Sequence, residues 1–177
     1  RFSPDGRWLL TGGYGSPNIA DAPSLRIWDA ETGTKLFGTV NALNWTWTVD
    51  FAPDNQSMLA LGLGQEVVLF DFQTHTERFR IQSAAPRLVF YLPDGERFAV
   101  ARTPGFAIHG TSDGRQLIAY PDGFAPAYLL DKRTILVADN NEFIRRLEAK
   151  DWTLPTRKDR FNAGLAEVRR RLGLNAD

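Results

Sequence analysis

Apolar and polar residues alternate with a period of two along most of the first 150 positions. In the stretch WTWTVDFAPDN, Trp45, Trp47, Val49 and Phe51 share one parity, while Thr46, Thr48, Asp50 and Ala52 share the other. On a strand, residues two apart lie on one face, so the first set forms a single apolar stripe before Pro53 and Asp54 turn the chain. The pattern predicts strands near 47–52, 57–63, 66–72 and 77–82, rich in Val, Leu, Phe and Thr. Four such strands make one small sheet. Trp47, Val49 and Phe51 are expected to pack against a neighbouring unit, and Trp45, one step earlier, to stand in the loop above the strand.

The pattern repeats. FSPDG at 2–6, FAPDN at 51–55 and YLPDG at 91–95 share an aromatic, a variable residue, Pro, Asp, and Gly or Asn, with a weaker YLLDK at 128–132 aligned on Tyr128 and Asp131. A second marker follows each: LRIWDAETG at 25–33, VVLFDFQTH at 67–75, FAIHGTSDG at 106–114 and FIRRLEAKD at 143–151. Matching Trp28, Phe70, His109 and Arg146 gives steps of 42, 39 and 37 residues. The Pro-Asp-Gly/Asn element suits a hairpin turn, since Pro presets φ near −65° and Gly or Asn accepts positive φ. Gly33, His75 and Gly114 occupy matched places in the next turn, where positive φ is again expected.

These residues resemble the WD40 repeat family of β-propellers over nearly all of 1–151: FSPDG followed by LLTGG and LRIWDAETG is close to the family wording, and WTWTVDFAPDN is similar to its innermost strand. The resemblance implies an all-β fold of radial four-stranded antiparallel blades, here near 1–44, 45–84, 85–121 and 122–155, with packed cores between neighbours. It also implies a polar network, of which Thr11 and Trp28 supply two members. Asn41 and Ala42 stand where the family often has His, and the third and fourth units lack the Trp, so the blades are expected to be held mainly by packing. Residue 1 already falls at the end of a first strand. About four units fit a piece of a larger ring or a four-bladed ring, and for a piece the expectation is an uncovered blade face open to self-association.

Beyond Thr156 the period changes to about 3.6. Thr156 as N-cap with Asp159 at the capping-box place, then Phe161, Leu165, Val168 and Leu172, predicts one amphipathic helix stopping at Gly173, within a separate tail at 156–177. Residues 152–177 carry six basic and three acidic side chains. Two readings stand: a stripe that packs on the blades with Arg169, Arg170 and Arg171 complementing the helix dipole, or a helix that docks a partner protein or an acidic surface such as nucleic acid or lipid headgroups.

Composition narrows the function. At 177 residues, 43% hydrophobic and 24% charged, with 21 basic and 21 acidic side chains, the chain is an ordinary globular one with no global field for nucleic acid or a membrane surface. No apolar run approaches the roughly 20 residues of a membrane-spanning helix. RFSPDGRWLL places a proline and a turn where a signal peptide has its apolar region. A cytoplasmic location is the expectation, although the absence of cysteine does not itself separate compartments.

Catalysis needs convergent groups, and no cofactor motif or metal ligand set stands out. His75 reads as a turn residue and His109 as a half-buried packing residue at a strand position. Asp5, Asp54 and Asp94 recur in turns, and Asp29 and Asp71 end third strands, where each is expected to bond nearby backbone. GGYG at 12–15 and LGLG at 61–64 precede strands rather than helices, which argues against a phosphate cradle. Asp50 is the one carboxylate on a predicted innermost strand, and it carries the alternative of an enzyme-type propeller with an acidic, metal-assisted channel.

The reading of choice is a non-catalytic protein–protein interaction scaffold, whose partner is another protein or another domain of the same polypeptide; a regulatory domain of a larger, for example kinase-like, protein is a further alternative. The resemblance places contacts on the loops entering first strands and joining second to third strands. Candidates there are Tyr14, Asn18, Asp21, Asn44, Trp45, Phe124, Asn140 and Asn141.

Overall fold

The computed structural model describes residues 1–15, 24–39, 43 and 45–120, and the backbone pairing of three further strands at 124–131, 134–139 and 144–148. The strands form antiparallel sheets in which sequence neighbours pair, so each sheet is a meander. The first holds β1 (Trp8–Gly12), β2 (Leu25–Asp29) and β3 (Lys35–Thr39). Residues 1–3 lie beside β1, where Phe2 bridges Leu9 and the Arg1 carbonyl accepts the Leu10 N–H at 2.7 Å. The second holds β4 (Thr46–Phe51), β5 (Ser57–Gly62), β6 (Glu66–Asp71) and β7 (Glu77–Gln82). The third holds β8 (Pro86–Tyr91), β9 (Arg97–Arg102), β10 (Phe106–Gly110) and β11 (Gln116–Tyr120), and the fourth β12 (Phe124–Asp131), β13 (Thr134–Asp139) and β14 (Ile144–Glu148). These sheets are the blades of a β-propeller.

Two of the cores lie between neighbouring blades. Leu10, Leu25 and Ile27 of the first blade meet Phe51, Met58, Val68 and Phe70 of the second. Leu59, Leu61, Val67 and Leu69 meet Val89, Tyr91, Phe98 and Val100 of the third. Strand β5 is buried at every position because its two faces serve two cores, Met58 and Ala60 on one and Leu59 and Leu61 on the other. A strand covered on both sides reads as a continuous apolar run, as MLAL does. Each fully buried Leu or Phe contributes about 1.5–3 kcal/mol, so these layers dominate the stability. At the aromatic position of the repeat, Phe51 is 4% exposed and Tyr91 5%, whereas Phe2, with no preceding sheet among the described residues, is 63% exposed.

The turn chemistry matches the sequence. Gly6, Asn55 and Gly95 have φ of 74°, 60° and 72°, and each N–H bonds the carbonyl three residues back, at 2.9, 3.0 and 3.0 Å. The aspartate before each accepts the N–H two residues on: Asp5 from Arg7 at 3.1 Å, Asp54 from Gln56 at 2.9 Å, Asp94 from Glu96 at 3.0 Å. Gly33, His75 and Gly114 also sit at positive φ, of 70°, 57° and 71°.

Hydrogen bonds also join neighbouring blades. The Thr48 hydroxyl and the Asp50 carboxylate of β4 accept the Val89 and Tyr91 N–H groups of β8 at 3.3 and 2.9 Å, capping donors on the edge of an inner strand that no neighbouring strand pairs. The Ser57 and Tyr91 hydroxyls bond at 2.7 Å in the buried layer. Within the first blade, the Trp28 indole N–H donates to the Thr11 hydroxyl at 2.9 Å. Where Phe70 and His109 replace Trp28, the position of Thr11 is taken by Ala60 and Val100, so the donor and its acceptor are lost together.

Four expectations need correction. Trp47 is not part of the inter-blade packing: it is 47% exposed, because β4 carries a bulge between Thr46 and Thr48 that sets Trp47 outside the strand's regular alternation. His109 is buried, not half-buried. In the fourth unit Leu147, not Arg146, pairs with Ile135 as Trp28, Phe70 and His109 pair with Leu9, Met58 and Phe98. By the same register Leu129, not Tyr128, takes the place of Tyr91.

Candidate interaction rim

Because every strand runs between the same two ends, the blades have two rims. The hairpin rim carries the Pro-Asp-Gly/Asn turns and the turns between third and fourth strands. Its aspartates are satisfied locally. Asp29 accepts from the Glu31 and Thr32 N–H groups at 3.1 and 2.8 Å, and Asp71 from those of Gln73 and Thr74 at 2.9 Å each. Asp71 also pairs with Arg78, and Asp94 with Arg97. The backbone donor of Thr74, then the Arg78 guanidinium, holds the Asp71 carboxyl far below the usual carboxylate range. Exposed His75 lies face to face with Phe37 of the preceding blade at 4.3 Å. His109 stacks on Phe98 at 5.2 Å, and its Nδ1 donates to the Gly114 carbonyl at 2.9 Å; burial lowers its pKa and keeps the ring neutral.

The opposite, loop rim behaves differently. Tyr14 and Trp45 are 63% and 44% exposed, bridge as neighbouring backbone segments, and meet edge to face at 5.8 Å. The pair is held from below by backbone. Thr46 N–H bonds the Gly13 carbonyl and Leu63 N–H bonds the Trp45 carbonyl, each at 2.9 Å. Gly12 permits this approach, since a Cβ there would stand 2.7 Å from the Thr46 side chain. Tyr14 and Trp45 are thus brought together by the join of the first two blades. Leu63, half exposed, and Trp47 lie on the same rim.

Of the remaining candidates, Asn18, Asp21, Asn44, Asn140 and Asn141 lie outside the described residues, as do the helix residues Phe161, Leu165, Val168, Arg169, Arg170, Arg171 and Leu172. Phe124 begins β12, and its backbone pairs with Asp139. Asp50 is engaged on both oxygens, by the Tyr91 N–H and by Arg1 Nε at 3.0 Å; burial nevertheless raises its pKa. Those bonds give it a structural task. Among the described residues no three His, Asp or Glu side chains gather as a metal site, and no helix is long and apolar enough to cross a membrane.

Sequence reasoning missed Trp47 and Arg87 as rim residues. Arg87 is the extra residue of a bulge between Pro86 and Leu88, at the position matching Trp47 one unit earlier. Neither bulge leaves a mark in the alternation.

Successive antiparallel meanders of three or four strands, with cores between neighbours and loops on one rim, define the class as a β-propeller. Comparison with known proteins places it nearer. The chain is 32% identical over 94 residues to an uncharacterized WD repeat-containing protein of Deinococcus radiodurans, a match covering 52% of this chain and 27% of that protein. Its fold is similar to the β-propeller domain of Cps50 (Swd1) from Myceliophteria thermophila, with a TM-score of 0.65 and 16% identity, over 87% of this chain and 52% of the other. The chain therefore spans about a quarter of the curated relative and about half of the solved propeller. No protein-family model matches it.

Proposed function

We propose that the protein is a non-catalytic scaffold for protein association and that its partner, another protein or another domain of its own polypeptide, contacts the loop rim. The observation that carries this reading is the Tyr14–Trp45 pair, two large aromatic side chains left in solvent by a backbone arrangement that fixes their positions. Such groups bury much area at small entropic cost when a partner covers them. On the hairpin rim exposed Phe2 has no aromatic partner among the described residues, and Asp71 and Asp94 are already paired within the turns. Similarity to WD-repeat proteins supports the same reading. Its test is Trp45→Ala in the full chain. The expected outcome is unchanged thermal unfolding with lost partner binding; lost folding would return Trp45 to the core, and undiminished binding would remove the rim from the reading.

A further inference from the structure

A cleft of about 290 Å³ opens on the loop rim beside the Tyr14–Trp45 pair, lined by Trp47, Leu63, Gln65, Ala85, Pro86 and Arg87. Its shape is built rather than incidental. The bulges of β4 and β8 each deliver a residue to it, Trp47 and Arg87. Gln65 and Ala85 hold positive φ of 64° and 47°, which is uncommon for side chains other than Gly and is strained for Ala immediately before a proline. The Gln65 carbonyl oxygen accepts the Ala85 N–H at 3.3 Å, and its backbone carbonyl accepts the Ser83 N–H at 3.0 Å, so one residue ties the two sides of the floor.

The chemistry of the lining selects an occupant. The volume lies at the lower edge of the range for small-molecule sites, which suits one or two side chains rather than a cofactor. An indole, Leu63 and buried Pro86 supply an apolar wall. Arg87 makes no ion pair or side-chain hydrogen bond among the described residues, and Arg102, opposite Pro86 on β9, makes no ion pair among them either. The nearby Glu66 is already taken by Arg80. Among the described residues the local charge is therefore positive, on a chain of zero net charge.

We infer that this cleft binds an extended acidic peptide containing proline, with a proline ring against the Trp47 indole and a neighbouring carboxylate on Arg87. This rests on the loop-rim reading above and names the partner's chemistry. Polyproline II segments lie in aromatic-lined grooves at low entropic cost, because their conformation is preformed. The guanidinium fork matches a carboxylate. A single-stranded nucleic acid fits less well: it brings a phosphate with every nucleotide over a site of roughly 4 or more, and two arginines do not make such a track.

The test uses fluorescein-labelled peptides of five Pro-Glu repeats and five Pro-Lys repeats, with oligouridylate as the third probe, in anisotropy titrations of the full chain. The Pro-Glu peptide is expected to bind saturably and more tightly than the other two. Trp47→Ala and Arg87→Glu should each weaken it about tenfold or more, and Arg87→Glu should gain binding of the Pro-Lys peptide. Both sites are exposed, so both variants should unfold at the temperature of the unaltered chain. No saturable Pro-Glu binding at millimolar peptide, equal binding of Pro-Lys, preference for oligouridylate, or indifference to both substitutions would overturn the inference. Those results would leave the loop rim as a protein contact standing, since that reading is tested separately by Trp45→Ala and falls if partner binding is undiminished.

Discussion

The two rims of the same blades use polar and aromatic residues in opposite ways. On the hairpin rim, every recurring aspartate accepts hydrogen bonds from backbone one turn away, and the arginines beside Asp71 and Asp94 close ion pairs. On the loop rim, Tyr14, Trp45, Trp47 and Leu63 stand in solvent above Arg87, which has no ion pair among the described residues. Recurrence is thus a sign of architecture here. Departure from the repeat is where the proposed binding surface lies, since those side chains are not consumed in holding the blades together.

If that contrast holds, changes on the hairpin side should act on folding first. The largest effect is expected for Gly114→Ala, at φ of 71° and with a Cβ that would lie 2.7 Å from the Phe79 ring across the blade junction. Left-handed backbone and a forced ring together should cost about 2–4 kcal/mol, read as a lower urea midpoint. Tyr91→Phe comes next. It leaves the buried Ser57 hydroxyl without its partner and should cost about 1–2 kcal/mol in the same measurement.

A smaller effect concerns pH. Burial raises the Asp50 pKa, so the native state binds that proton more tightly than the unfolded chain does. The stability linked to it is fully present below the unfolded carboxylate value and is lost as pH rises through the native one. Asp50→Asn keeps an oxygen for the Tyr91 N–H and cannot titrate. It should remove that decline from the stability profile above about pH 4; an unchanged profile would show that Asp50 carries no linked proton. Trp45→Ala should move stability least, by under about 1 kcal/mol, since the ring is already half in water.

Much of the fold was legible in the sequence, for reasons visible in particular residues. Strands β4 to β7 lie within a residue or so of their expected places, because alternation and turn residues act locally. The positive φ at Gly33, His75 and Gly114 followed from their matched places alone. Trp47 was misread because a single extra residue changes which face a side chain takes, and no residue type announces a bulge. The one-residue shift from Arg146 to Leu147 has the same root: pairing register decides the match, and a weak repeat leaves it open. Exposure of Tyr14 and Trp45 agrees with the loop position expected for them. Their mutual contact depends on the join between two blades, which no local pattern encodes.

The central contrast is tested most directly by placing a photo-crosslinking amino acid at position 45 on the loop rim and, in a second protein, at the exposed Gln73 on the hairpin rim. After irradiation in cells, discrete adducts are expected from position 45 and none above background from position 73. Equal adducts from both positions, or adducts from position 73 alone, would contradict the division of the molecule into a structural rim and a binding rim.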